Sequence, residues 1–404
     1  MISSRRIPGI GDPSLLALVL ILTGLGIAMI YSAGQVDVRS PATGIWLRQL
    51  TWFGVAIVAL AVASRFSLRF LEWLAPWCYG VSILLLVLAL AIGTGPNGSW
   101  LELGPGRLQP AEVAKLGTVL MLARVMGDGP ERYERLFDLW KPAVLALIPL
   151  VLVIRQPDLG SAMIFAVIFI AALFWGGVPL FRIFLIATPG LSLLLGFNWI
   201  VWGLWFLVVA ACLYVRRLFI IESVGVLLAN IAAGALTLRI WDSLADYQRN
   251  RLLVFLDPEI DPLGAGWHLI QSKVSIGSGG LFGAGFANGP QKRLAFLPEQ
   301  HTDFIFSVVG EELGFVGVAV FLVLFGLLLW RVLYAAIDTE DDFGSSIAFC
   351  VFAILLTHLV VNLGMTVGVL PVTGLPLPLV SYGGSFLLML YAAFGMVQRV
   401  VWER

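Results

Sequence analysis

Long apolar runs dominate the chain, separated by short stretches where charge, Gly and Pro collect. A membrane's hydrocarbon core is about 30 Å thick, and a helix needs roughly 20 apolar residues to cross it. Runs of that kind fall at 14–34, 46–64, 70–93, 109–126, 140–155, 158–176, 179–197, 199–215, 217–240, 304–332, 345–367 and 384–401. The pattern predicts an all-α polytopic membrane protein of about twelve transmembrane helices. No Gly/Ser linker or short repeat divides the chain, so 1–404 reads as a single membrane domain.

Composition agrees with that reading, since 59% of residues are hydrophobic and 12% charged, whereas soluble domains carry about 25% charged residues. Lys plus Arg and Asp plus Glu balance at 25 each, giving no overall bias toward nucleic acid or another polyanion. Cys78, Cys212 and Cys350 lie inside apolar runs without metal-like spacing and read as small buried hydrophobes. Arg5 and Arg6 precede the first run with no clear small-residue cleavage site, which favours a retained first span over a removed signal peptide.

Basic residues set the orientation. Arg5 and Arg6, Arg65 and Arg69, Arg132, Arg135 and Lys141, Arg182, Arg216 and Arg217, Arg331, and Arg399 and Arg404 fall on one set of alternating ends. The positive-inside rule makes those ends cytoplasmic. Both termini are then inside, and 94–108, 368–383 and the large loop 241–303 before the tenth span are outside. That loop carries Arg249, Arg251, Lys273, Lys292 and Arg293. Long loops translocate regardless of charge, while an anionic ligand gives the sharper reading.

Four outer constellations hold candidate chemistry. In Q-P-A-E-V-A-K, Glu112 and Lys115 are three apart and share a helix face. The pair reads as a helix-end ion pair or as a functional cavity, because ionisable groups in a span are costly. In R-Q-P-D-L-G-S, Asp158 opens the next span as an N-cap or as a cavity residue. The segment Leu297 to Gly314 crowds Glu299, Gln300, His301 and Asp303 beside the membrane, and Glu311 and Glu312 continue the same helix about 12 Å further. Asp303 could be a cap and His301 an ordinary hydrogen-bonding residue, but four carboxylates near one lipid-facing helix are hard to assign to surface solvation. The last, Gly368 to Ser385, contains Ser381 and is apolar, yet Pro371, Gly374, Pro376 and Pro378 deny it a regular helix. Irregular backbone at membrane depth is tolerated where it lines a cavity or is buried in protein.

At these segments, and at Tyr247 to Pro258 and Gly266 to Phe286, the sequence resembles the RodA/FtsW, or SEDS, family over nearly its full length. Within it, P-V-T-G-L-P-L-P at Pro371 to Pro378 and G-F-A-N-G-P-Q-K before F-L-P-E-Q-H-T-D are similar to the RodA side. The resemblance implies a peptidoglycan glycosyltransferase that polymerises lipid II into β-1,4-linked strands during cell elongation and shape maintenance. It also implies the bacterial cytoplasmic membrane, with the active site facing outward. Asp303 matches the family's catalytic Asp, and Glu112, Lys115 and Asp158 match its other cavity residues. The family has about ten spans, so 177–217 reads as an inserted helix pair. Ala111 stands where the family often has Ser, and Asn97-Gly98-Ser99-Trp100 lacks the basic residue that commonly precedes the Trp.

Extending a glycan joins a sugar hydroxyl to an anomeric carbon as a diphosphate departs. Asp303 is the expected base, taking the proton as the new bond forms, and one base suggests direct displacement with inversion. Lys115, Arg249, Arg251 or Lys273 could stabilise the diphosphate, with Gln300, His301 and Ser381 as further cavity residues. A divalent cation, Mg²⁺ or Mn²⁺, bridging diphosphate and one carboxylate would serve the same end, with Asp303 as its candidate ligand. The implied partners are lipid II, the growing lipid-linked glycan, a class B penicillin-binding protein transpeptidase and other elongation-complex membrane proteins. The rival is a flippase for a polyprenyl-diphosphate lipid, which would hold its charges near the bilayer midplane.

Overall fold

The structure is a computed structural model describing residues 11–36, 43–95, 98–103, 106–127, 133, 135–217, 219–257, 261, 264–294 and 299–404. Arg5, Arg6, Asn97, Arg132, Pro258, Phe296, Leu297 and Pro298, which the sequence argument used, lie outside the described residues.

Each of the twelve apolar runs is a helix. They are α1 (Pro13–Ala33), α2 (Ile45–Ala63), α3 (Leu68–Ile92), α4 (Pro110–Met126), α5 (Trp140–Arg155), α6 (Leu159–Trp175), α7 (Leu180–Leu195), α8 (Trp199–Arg216), α9 (Ile220–Ser243), α13 (Ile305–Ile337), α14 (Asp342–Val367) and α15 (Gly384–Glu403). Among the described residues, nine candidate spans are long and apolar enough to cross a membrane, and α6 and α7 are shorter apolar helices. The chain is therefore a multi-pass membrane protein. The segment 241–303 carries three more helices, α10 (Asp246–Leu256), α11 (Ala265–Ser278) and the four-residue α12 (Pro290–Arg293). Between α3 and α4, β1 (Leu101–Leu103) pairs antiparallel with β2 (Gly106–Leu108), a small hairpin that apolar periodicity did not predict.

Helix α15 is 72% buried over its apolar window and α14 61%, against 11% for α2 and for α8. The first two form the centre, and the others leave large side chains facing out, as lipid permits. At one end of the bundle, Asp12 caps α1 by accepting from Ser14 and Leu15 N–H, and it also binds Arg331 of α13. Gln398 of α15 exchanges hydrogen bonds with the Asp12 backbone there. Elsewhere, Gln109 bonds Asp158, Tyr247 and Gln248 bond the Pro157 carbonyl, and Gly374 lies close to Arg251 and Asp303, so the polar segments that hold these residues meet.

Helix α13 is not continuous. Gly314 has φ 64° and ψ −169°, so a half-helix, Ile305 to Leu313, is separated from a long arm. Freed backbone groups in an apolar setting need partners, and a glycine-rich turn after α11 supplies them. Ala284 and Gly285 N–H donate to the carbonyls of Glu311 and Glu312, while Phe315 and Val316 N–H donate to those of Gly280 and Leu281. A Cβ at residue 314 would strike Leu281 and Gly283 backbone. Sequence patterning predicted one lipid-facing helix through Glu311 and Glu312; both carboxylates are instead buried in protein just before the break.

Helices α7, α8 and α9 pack mainly on one another, with α7 touching α6. This unit covers 177–217, the stretch read above as an inserted helix pair.

Candidate active site

The Asp303 turn is held mostly through its backbone. Thr302 and Phe304 N–H both donate to the Glu299 carbonyl, at 3.1 and 3.4 Å. From α14, Asn362 Nδ2 donates to the Asp303 carbonyl at 2.9 Å and to the Leu375 carbonyl at 2.8 Å. Ser381 Oγ donates to the Thr302 carbonyl at 2.6 Å and accepts from Leu377 N–H, and Tyr382 N–H donates to the His301 carbonyl. The Pro-rich segment 368–383 thus holds this turn through the Ser381 hydroxyl and Tyr382 N–H, and shares Asn362 with it through the Leu375 carbonyl.

A cavity of about 100 Å³ opens beside Asp303, and Arg251, His268, Glu299, Phe304 and Leu370 are among its lining residues. Burial pushes the Asp303 carboxyl up to about 6, against the pull of Arg251 and with the help of the Glu299 and Asp158 charges. Such a carboxylate is a better proton acceptor than a surface one and is still mostly ionised at neutral pH. Burial lowers both His268 and His301, more than Glu299 raises them. Gly374, at φ +75°, comes close to both Asp303 and Arg251: an added Cβ would sit 3.4 Å from Asp303 Oδ2 and 3.6 Å from Arg251 Nη1.

Behind the turn, Lys115 Nζ donates to Glu112 Oε1 at 2.8 Å, with side chains 0% and 4% exposed. Glu112 Oε2 has no partner. The Lys115 ammonium lies 5.8 Å from the centre of the Phe386 ring, on which His358 also stacks at 4.8 Å. His358 Nδ1 pairs with the Pro376 carbonyl at 3.0 Å, and its Nε2 is unpartnered. Asp158 is an N-cap, accepting Ser161 N–H at 2.9 Å, and its other oxygen takes Gln109 Nε2 at 3.0 Å. Its charge is nevertheless felt at Asp303.

Other candidates stand elsewhere. Arg249 turns back onto the Trp241 and Asp242 carbonyls at the end of α9. Lys273 lies over Gly368, at the C-terminal end of α14, where a helix dipole favours a cation. Gln300 ties the turn to α1 through the Ala33 carbonyl at 2.9 Å, and the His301 ring packs near Tyr382 at 5.9 Å. Of the four candidate cations, Arg251 alone is among the cavity's lining residues. Sequence reasoning missed His268, His358 and Asn362. His268 lies in the Gly266 to Phe286 stretch that carries the family resemblance, a usable signal; His358 and Asn362 sit in an apolar helix, where only their polarity marks them.

No group of three or more His, Cys, Asp and Glu side chains is arranged to hold a metal among the described residues. Asp303 and Glu299 line one cavity, which suits an ion that takes one or two carboxylates and completes its shell with water and substrate phosphate, as Mg²⁺ does.

The chain matches the FtsW/RodA/SpoVE family of cell cycle proteins over residues 13–206 and 197–404. It is 37% identical over 399 residues to the Escherichia coli peptidoglycan glycosyltransferase MrdB, across 96% of this chain and 93% of that protein. Among solved structures it is similar to a chain of a peptidoglycan synthase complex that coordinates polymerization and crosslinking, with a TM-score of 0.70, 35% identity and coverage of 97% and 98%. It is also similar to the rod shape determining protein RodA of Thermus thermophilus, with a TM-score of 0.64 and 31% identity over 97% of each chain.

Proposed function

Because this chain belongs to the FtsW/RodA/SpoVE family, as a RodA-type member, and is a peptidoglycan glycosyltransferase, we propose that Asp303 is the base of its transfer reaction and lipid II its substrate. The observation that carries the assignment is a carboxylate raised by burial, in a cavity whose lining includes Arg251. As the acceptor hydroxyl oxygen forms its bond to the donor's anomeric carbon, its proton passes to Asp303, and the bond from that carbon to the diphosphate oxygen breaks. Attack opposite the leaving group inverts the anomeric centre and yields a β-linked strand. The leaving diphosphate needs no acid, only positive charge, which Arg251 supplies at the cavity.

Mg²⁺ or Mn²⁺, held by Asp303 with Glu299 beside it, would supply further charge neutralisation to the diphosphate when bound. Lys115 and Glu112 act from behind the turn, through the packing of Phe386 and His358. Positive charge on the opposite loops supports the cytoplasmic membrane as location, with Asp303 outward. A class B penicillin-binding protein and other elongation-complex membrane proteins are the partners we infer. The similarity to a chain of a complex that coordinates polymerization with crosslinking supports the first.

The test is purified protein with labelled lipid II and Mg²⁺ or Mn²⁺, reading glycan length on a gel. The Asp303→Asn variant is expected to fold and bind lipid II without making polymer. Polymer from that variant sinks the assignment, and lipid scrambling without polymer from the unaltered protein sinks the substrate chemistry.

A further inference from the structure

A second buried charge cluster lies at the far end of the half-helix that begins just after Asp303. Lys292 Nζ donates to Glu312 Oε1 at 2.6 Å and to Ser32 Oγ at 2.9 Å, and Ser32 Oγ donates to the same Glu312 oxygen at 2.5 Å. Lys292 and Glu312 are each 1% exposed and Ser32 0%. Glu311 prepares the arrangement by accepting the N–H groups of Gln291 and Lys292, at 2.7 and 3.4 Å. The three side chains come from the segment after α11, from α13 and from the last turn of α1, and nothing in the reaction derived above uses them.

Their position gives them a task. The half-helix Ile305 to Leu313 is about 13 Å long at 1.5 Å per residue. Its near end is held by Asn362 and Ser381. Its far end is not held by helix continuity, because Gly314 breaks the backbone there, but by Ala284 and Gly285 N–H on the carbonyls of Glu311 and Glu312 and by the side-chain pair. A pivot of about 4° over ~13 Å shifts the opposite end by roughly 1 Å, and a misplacement of that size costs on the order of 10²-fold in rate. Glu312 is the group at this end that carries a full charge bond to another element, and α1, through Ser32 and the Ala33 carbonyl that receives Gln300, touches both ends.

We propose that Lys292, with Ser32, is a positioning residue that locks the half-helix through Glu312 and so sets where Asp303 stands in the cavity. The inference rests on Asp303 being the base. Replacing one partner would leave a buried charge unpaired, so the informative variant removes both: Lys292→Leu together with Glu312→Leu. Expected are a Tm no lower than that of the unaltered protein, KM for lipid II within twofold, and kcat reduced at least tenfold. Unchanged kcat in the double variant overturns the lock, as does a tenfold rise in KM with kcat intact. If the double variant does not fold, Ser32→Ala decides: it keeps the ion pair, loses its tie to α1, and is expected to lower kcat about threefold at unchanged KM, with Tm lowered by the lost buried hydrogen bonds. Wild-type kcat there overturns the proposal. Asp303→Asn assayed in parallel separates the two ideas. Polymer from it removes the base itself, whereas an inactive Asp303→Asn beside a fully active lock variant removes the lock alone.

Discussion

The Asp303 corner and the α7–α9 unit both bury polar side chains inside an apolar bundle, and they treat them differently. In the α7–α9 unit Ser192 Oγ donates to Asn230 Oδ1 at 2.6 Å, Asn230 Nδ2 donates to Thr188 Oγ1 and to the Val226 carbonyl, and Thr237 Oγ1 donates to the Leu193 carbonyl. Only the indoles of Trp202 and Trp205 keep unpartnered nitrogens there. Around Asp303, atoms of Glu112, Asn362, His358 and Gln300 have no partner, although an unmade buried hydrogen bond costs about 1–3 kcal/mol. The two regions thus differ in the kind of atom left open: indole nitrogens in the α7–α9 unit, and carboxylate, amide and imidazole atoms around Asp303.

That contrast can be broken in several places. The largest effect is expected from Asp303→Asn, where loss of a positioned base costs about 10²–10⁴-fold in kcat, with Tm held. Next come Glu112→Ala and Lys115→Met, each stranding its partner's charge in a dry interior. Activity is expected to fall about tenfold or more, with about 3–5 kcal/mol of stability lost. If both variants remain fully active, the pair belongs in kind with the α7–α9 ladder.

A pH profile of kcat sharpens the same point. The base works only when ionised, so with Asp303 raised to about 6 the rate is expected to drop about fivefold between pH 6 and pH 5. A flat profile down to pH 4.5 would remove Asp303 as base. Because its folded value lies above the usual carboxylate range, the stability it contributes is complete at low pH and is lost as pH rises through about 6. Asp303→Asn should therefore abolish that slope in Tm against pH. The smallest effect is expected from Asn230→Ala, which costs about 1–2 kcal/mol at an interhelical bond and leaves kcat within twofold. A dead enzyme there would mean that the outlying unit is part of the catalytic machinery.

Much of this was legible before any coordinates. The twelve apolar runs and their helices agree to within a few residues because crossing a hydrocarbon layer needs an apolar stretch of set length, a local property of the chain. Asp303 stood out because four acidic residues crowd one short stretch. Arg251 could not be separated from Arg249 by the same means: they lie two apart on α10, and only packing shows that one faces the cavity and the other the end of α9. The pair Glu112 and Lys115 was visible at three-residue spacing, whereas Lys292 and Glu312 are twenty residues apart and no periodicity joins them.

The sequence alone therefore determined the membrane class, the helices and the family's chemistry, since each is written in short-range pattern or in ordered motifs. Tertiary structure decided the break at Gly314, the inward burial of Glu311 and Glu312, the choice of Arg251, and the wall that segment 368–383 builds around Asp303. The physical reason is common to all four: a backbone or charged group removed from water must find a partner, and which partner it finds depends on elements that meet only when the bundle has packed.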